Sequence, residues 1–182
     1  MTAKCRVCKT AFTRKRPLQV VCENIECAIK HAESKRAKTL ESHARKVRKE
    51  IREQREKLKS RADWLREAQA AFNAFIRERD KDKPCISCGR FHTGSWDAGH
   101  YRSVGAAPAL RFHEDNVHRQ CVPCNQHKSG NAIEYRRGLV ARIGAPRVEW
   151  LEQEPPPAKF TIEDAKRIKE EFKSRLKELQ RK

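Results

Sequence analysis

The placement of eight cysteines constrains this chain more than any other feature. They fall as four close pairs: Cys5 with Cys8, Cys22 with Cys27, Cys85 with Cys88, and Cys121 with Cys124. Two sulfurs on one tight turn and two on another close a tetrahedral thiolate shell around zinc. The first two pairs make one such set and the last two make another. A lone pair at this spacing is equally a redox couple or a coincidence. Two matched sets with no cysteine left over point to two structural zinc ions, because four protein ligands leave no open coordination position. The first set resembles a treble-clef or ribbon-like finger at the level of fold.

Composition favours small stapled modules over one large core. Of 182 residues, 37% are hydrophobic and 36% are charged. Zinc would supply folding free energy that such small cores lack. The formal charge is +18, and it is uneven. Residues 1–60 carry 18 basic and 7 acidic side chains (+11), residues 61–150 carry 15 and 10 (+5), and residues 151–182 carry 9 and 7 (+2). Lys and Arg running along a helix are the usual footprint of a nucleic-acid binder; solubility or loose attraction to ribosomes or membranes is the plainer alternative. No apolar run approaches the ~18 residues of a membrane span, and no signal peptide opens the chain. We therefore expect a cytoplasmic protein of a bacterial host cell, with its cysteines reduced.

Four segments follow. Residues 1–27 read as the first zinc finger, with Phe12, Leu18, Val20 and Val21 as a minimal core. Residues 28–60 read as a basic helix free of Gly and Pro up to Leu58. Along it Ala37, Leu40, Ala44, Val47, Ile51, Gln54 and Leu58 alternate in steps of three and four, a thin heptad seam. That seam predicts either a homodimeric coiled coil through residues 37–58 or a solvated helix with one narrow stripe against the protein. Residues 61–150 read as the domain carrying the second cysteine set. Ser60 and Asp63 form a capping-box signal for its first helix, whose apolar positions run from Trp64 to Ile76, and the charged stretch Arg77–Lys83 with Pro84 ends it. Asn131 and Glu134 signal another helix, stopped by Gly144 and Pro146. Residues 151–182 read as a stiff linker, Pro155–Pro157, and a last amphipathic helix capped by Thr161 and Asp164. The fold class expected is α+β and mostly helical.

Between the knuckles of the second set lie Trp96-Asp97-Ala98-Gly99-His100-Tyr101, then Leu110-Arg111-Phe112, then Asp115-Asn116-Val117-His118 leading into Cys121, and finally Cys124-Asn125 with Lys128-Ser129-Gly130-Asn131. This reads as strand, loop, strand, turn and helix with zinc clamping the ends, a ββα-metal finger. The pattern resembles the HNH nuclease superfamily, and an Asn directly after a four-cysteine site resembles endonuclease VII-type junction resolvases. Over residues 62–182 the chain resembles the NinG (Rap) recombination proteins of lambdoid phages. The runs that carry this are Phe75-Ile76-Arg77-Glu78-Arg79-Asp80, Pro84-Cys85-Ile86-Ser87-Cys88-Gly89, Trp96 to Arg102, and Cys124 to Asn131. The resemblance implies an endonuclease for branched DNA such as Holliday junctions and D-loops, acting in phage recombination beside host or phage recombination proteins.

Hydrolysis of a phosphodiester needs an activated water, charge neutralisation at the phosphate and help for the leaving oxygen. A neutral His100 can take the proton from water. Carried over from the resemblance, Asn116 fixes the loop that orients His100, and Asn125 is a ligand for one catalytic Mg²⁺ or Mn²⁺. The endonuclease VII-like pattern has an acid immediately before the His, where this chain has Gly99. Asp97, on the same strand face as Gly99, is the replacement ligand expected here; shaping the strand by a hydrogen bond is its other role. Arg102, Arg111, Arg119 and Lys128 are the expected phosphate contacts. His113 and His118 flank Asn116 and are candidates for phosphate or metal contacts as well as for surface or supporting roles, His127 is a candidate for stacking on backbone or binding phosphate, and His31, His43 and His92 show no sequence partner. The competing reading is a non-catalytic, zinc-dependent DNA-binding recombination protein. Cutting of plain duplex at a sequence would need a readout element, and none is evident.

Overall fold

The computed structural model describes residues 2–155 and 157–181, so Pro156 of the expected linker lies outside the described residues. The chain divides into two units, residues 1–58 and 59–182. Both are mostly helical, with one small antiparallel sheet each, so the α+β class expected from the sequence holds.

In the first unit, β1 (Thr2–Lys4) pairs with β2 (Ala11–Thr13) around the first cysteine turn. The Cys5 amide donates to the Thr10 carbonyl at 2.9 Å, and the Lys9 amide donates to the Cys5 carbonyl at 3.0 Å. The second unit repeats this turn at Cys85: its amide donates to Arg90 at 3.0 Å, and Gly89 donates back to Cys85 at 2.9 Å. In both, the residue after the second cysteine is left-handed, Lys9 at φ 63° and Gly89 at φ 66°. Gly takes that conformation without a Cβ penalty, whereas Lys9 is held there by the turn.

The helix α1 runs over Ile25–Lys57, 33 residues and therefore about 50 Å. It starts three residues before the expected boundary. Asn24 accepts from the Glu26 amide at its N-cap, which places Cys27 in the first helical turn. Leu18, expected in the finger's core, is instead 88% exposed. A left-handed φ of 64° places it on a turn, away from the sheet. The heptad positions are exposed as well, with Leu40 at 70% and Ile51 at 48%, and Cys27 is the helix's one fully buried residue. A stripe left in water on a helix this long is what self-association would cover. We predict that the full-length protein sediments as a dimer at micromolar concentration and that Leu40→Glu with Ile51→Glu returns it to a monomer. A monomeric wild type rules the seam out as a dimer interface.

The second unit is held by two apolar clusters. Helix α2 (Arg61–Arg79) begins at the capping box of Ser60 and Asp63, with both reciprocal hydrogen bonds present. Its face of Leu65, Ala68, Phe72, Phe75 and Ile76 packs on Ala165, Ile168 and Phe172 of α5 (Ile162–Gln180). The rings of Phe72 and Phe172 meet edge-on at 4.7 Å. Arg61 reaches the Phe160 carbonyl, Glu67 pairs with Lys169, and Arg175 lies over Phe75, so α2 and α5 run parallel. The C-terminal helix therefore belongs to the same unit as the second cysteine set and does not stand apart after its linker. The other cluster gathers Ile86, Ala107, Leu110, Tyr135, Leu139, Val148 and Leu151, fastening α3 (Ala132–Ile143) and α4 (Ala145–Glu152) to the cysteine turn and the loop beyond it. Asn131 does not cap α3. It is left-handed, makes no capping bond, and points its amide at Cys124.

The charged end of α2 is not a solvated terminus. Asp80 is fully buried. Its carboxylate takes Arg79 at 2.7 Å, Lys83 at 3.0 Å and the Arg119 amide at 3.2 Å, with His118 Nδ1 at 3.3 Å. Burial by itself would raise its pKa. The hydrogen bonds and charges of His118 and Arg79 outweigh that and hold it well below the usual carboxylate range. This buried hub ties α2 to the strand that carries Cys121.

Candidate active site

The site is built on a short hairpin. Strand β3 (Trp96–His100) pairs antiparallel with β4 (Val117–Cys121), with Asp97 opposite Gln120, Gly99 opposite His118 and His100 opposite Val117. Tyr135, buried in α3, bridges the strands: its hydroxyl donates to the Gly99 carbonyl at 2.7 Å and accepts from the His118 amide at 3.1 Å.

Cysteine clusters anchor both units. The four sulfurs of Cys5, Cys8, Cys22 and Cys27 lie within 4.8 Å of one another, as do those of Cys85, Cys88, Cys121 and Cys124. All eight are free of disulfide bonds. A Zn–S bond of about 2.3 Å gives a tetrahedron with edges of about 3.8 Å. Cys8 and Cys22 are 3.8 Å apart and Cys88 and Cys121 are 3.9 Å apart, so each cluster can hold one zinc ion. In the second cluster, nitrogen groups also approach the sulfurs. The Cys121 amide is 3.4 Å from Cys85, Asn131 is 3.7 Å from Cys124, and His92 Nε2 is 3.2 Å from Cys88. Such contacts would offset thiolate charge around a metal. His92, which had no evident partner in the sequence, thus has one; the four-residue step from Cys88 was the available signal.

His100 ends β3. Its Nε2 is 3.0 Å from the Arg111 carbonyl. A carbonyl only accepts, so Nε2 carries the proton and Nδ1 keeps its lone pair. No described residue bonds Nδ1. Burial lowers the His100 pKa, which favours the neutral ring. Asn116 is fully buried and holds the loop that supplies this carbonyl. Its Oδ1 accepts from the Arg102 amide at 2.8 Å, and its Nδ2 donates to the carbonyls of Arg102 and Leu110, each at 3.0 Å. One side chain thereby pins the start of the loop to the residue just before Arg111.

Asn125 and Asp97 also meet, but elsewhere on the hairpin. Asp97 Oδ2 accepts from Asn125 Nδ2 at 2.8 Å and from Gln126 Nε2 at 2.9 Å. Asn125 lies in the π-helical turn Pro123–His127 that follows β4. Carboxylate and amide oxygens are donors that Mg²⁺ and Mn²⁺ accept, and adjacent ligands on Mg²⁺ stand about 2.9 Å apart. As placed, Asp97 Oδ2 faces two N–H groups, and two oxygens would stand at that spacing only with the Asn125 amide turned by half. Gln120, opposite Asp97, adds a second observation. It is fully buried; its Nε2 donates to Ser87 at 2.7 Å and to the Gly130 carbonyl at 2.6 Å, while its Oε1 has no partner. A Cβ on Gly99 would fall 2.0 Å from that oxygen. A side chain at position 99 would therefore require the Gln120 side chain to move. Asp97 and His100 lie three residues apart, about 10 Å along the strand and on opposite faces.

Most of the expected phosphate contacts are turned inward. Arg102 donates to the carbonyls of Leu151, Glu152 and Gln153 at the end of α4. Arg111 reaches Gln69 at 2.8 Å, and Arg119 holds the Lys81 carbonyl while its guanidinium stacks on Trp96 at 3.9 Å. A guanidinium with five donors satisfies free carbonyls at element ends well, and sequence does not distinguish that use from a phosphate contact. Lys128 is exposed. His118 is buried with Nδ1 at Arg79 and Nε2 at the Asp115 carbonyl, so both of its ring nitrogens are engaged.

Fold and site together define a basic protein of two four-cysteine units, the second presenting a histidine on a clamped hairpin. The family model for the bacteriophage lambda NinG protein matches residues 1–182. This chain belongs to the NinG family. Protein ninG of Escherichia phage lambda is 55% identical over 122 residues, covering 67% of this chain and 60% of that protein. Protein ninG of Salmonella phage P22 is 54% identical over 122 residues with the same coverage. The match thus spans less than two thirds of the length of these curated relatives. No solved structure matches the chain. No described helix is long and apolar enough to cross a membrane.

Proposed function

We propose that this chain is a metal-dependent endonuclease of the HNH type that hydrolyses phosphodiester bonds in branched DNA during phage recombination. The observation that carries this reading is the His100 ring, with Nε2–H tied to the Arg111 carbonyl and Nδ1 left as an acceptor. A water attacking phosphorus gives its proton to Nδ1 as its oxygen bonds to the phosphate. The P–O bond to the leaving oxygen then breaks and that oxygen takes the electron pair. Asn116 acts through the loop, holding the carbonyl that orients the ring. Asp97 and Asn125 would hold Mg²⁺ or Mn²⁺, with the amide turned. When bound, such an ion neutralises phosphate charge and stabilises the departing oxygen.

A second reading, non-catalytic DNA binding, draws on the Asp97 carboxylate being closed by two amide donors and on the absence of an acid at Gly99. One experiment separates the two: full-length protein against Holliday junction, D-loop, flap and linear duplex, with and without added Mg²⁺. We expect cutting of the branched substrates only, and only with the metal. Asn125→Ala should raise the Mg²⁺ concentration needed by about tenfold or more. Binding of junctions without cleavage at any Mg²⁺ or Mn²⁺ concentration selects the second reading.

A further inference from the structure

Five of the first unit's Lys and Arg side chains line one hollow. A concavity of about 670 Å³ opens between the first cysteine turn and the start of α1. Arg6 and Lys9 line it from the turn; Lys30, Lys35 and Lys38 line it from α1. Lys30, Ser34 and Lys38 are spaced by four, with His31 and Lys35 one step on, so they share one helical stripe. No acidic residue lines the groove, and none of its five Lys and Arg side chains ion-pairs with a carboxylate among the described residues. The contrast within the same chain is clear. The cleft of Arg79, Arg147 and Arg167 in the second unit also contains Glu114, Asp115 and Glu171, and Arg147 is paired with Asp115.

Five unpaired cations around one hollow repel each other unless an anion joins them. Val7, Leu18 and Val20 add apolar surface to the hollow's lining, which suits the sugar faces of a backbone better than a free ion. From Lys30 to Lys38 the stripe advances eight helical steps, about 12 Å. Along the duplex axis a strand of DNA advances about 3.4 Å per phosphate, so a stripe lying along that axis spans three to four of them. We propose that this groove binds the phosphate backbone of one duplex arm of the DNA substrate, as a contact separate from the His100 site. The proposal rests on the DNA-binding part of the reading above and is independent of its chemistry.

The test measures junction binding by full-length protein without added divalent metal, over a series of salt concentrations. Lys30→Gln/Lys35→Gln/Lys38→Gln removes three groove cations, and Gln keeps helix propensity. Each lost phosphate contact lowers the slope of log K against log salt by about 0.9, so the triple variant should be shallower by about 2.7. The control is Lys46→Gln/Arg48→Gln/Arg52→Gln, farther along α1 and outside the groove, which should change the slope by less than one contact. Equal losses in both variants would show diffuse charge and overturn the groove. So would an unchanged slope in the first variant with two zinc ions still bound. Neither outcome depends on whether the protein cuts.

Discussion

Replacing His100 by Ala is expected to lower the rate of junction cleavage by about 10²–10⁴-fold, the usual contribution of a general base, while junction affinity and zinc content stay as in the wild type. The ring is half-buried, its Nε2 is committed to the Arg111 carbonyl, and its Nδ1 has no partner among the described residues. Removing it deletes an acceptor without opening a core. The pH profile gives a second readout. Burial lowers the His100 pKa from its ordinary 6.5, so the neutral, proton-accepting ring persists below that pH. The fall in rate on acidification should therefore centre below 6.5 and vanish from the residual activity of the Ala variant. Cleavage at the wild-type rate by His100→Ala would reject the histidine as base.

Cys121→Ser should release one of two zinc ions and unfold residues 59–182. Cys121 ends β4, so its sulfur joins the hairpin to the turn at Cys85 and to Cys124 at the head of the π-helical turn. A structural zinc contributes on the order of 10 kcal/mol to small folds of this kind, as much as the whole stability of an ordinary domain. Elemental analysis of the wild type should give two zinc ions per chain and of the variant one, retained by Cys5, Cys8, Cys22 and Cys27. Circular dichroism should show the helical signal of the second unit lost at 37 °C. A variant that keeps a cooperative transition for both units would mean that the metal does not hold this fold.

Local rules were legible in the sequence wherever the physics is local. Cysteine spacing alone marked the two tight turns, because a left-handed residue after the second cysteine needs only its neighbours. The capping boxes at Ser60 and Thr161 formed as read, since both partners sit within four residues. Asn131 broke the same rule. A sulfur seven residues back in the chain, that of Cys124, is what its amide faces instead of the helix it precedes.

The chain by itself determined which residue types were available: eight thiols in two sets, a histidine followed by an asparagine across a loop, and a surplus of cations. Tertiary structure decided how each was used. It buried Asp80 beside Arg79, Lys83 and Arg142, turned Arg102, Arg111 and Arg119 onto carbonyls up to 51 residues away, and set Gln120 against Gly99. Charge and hydrogen-bonding capacity belong to a side chain wherever it sits. Whether they meet water, a phosphate or a buried carbonyl depends on which distant backbone packs beside them, and that is set only when α2, the hairpin and α4 close around one another.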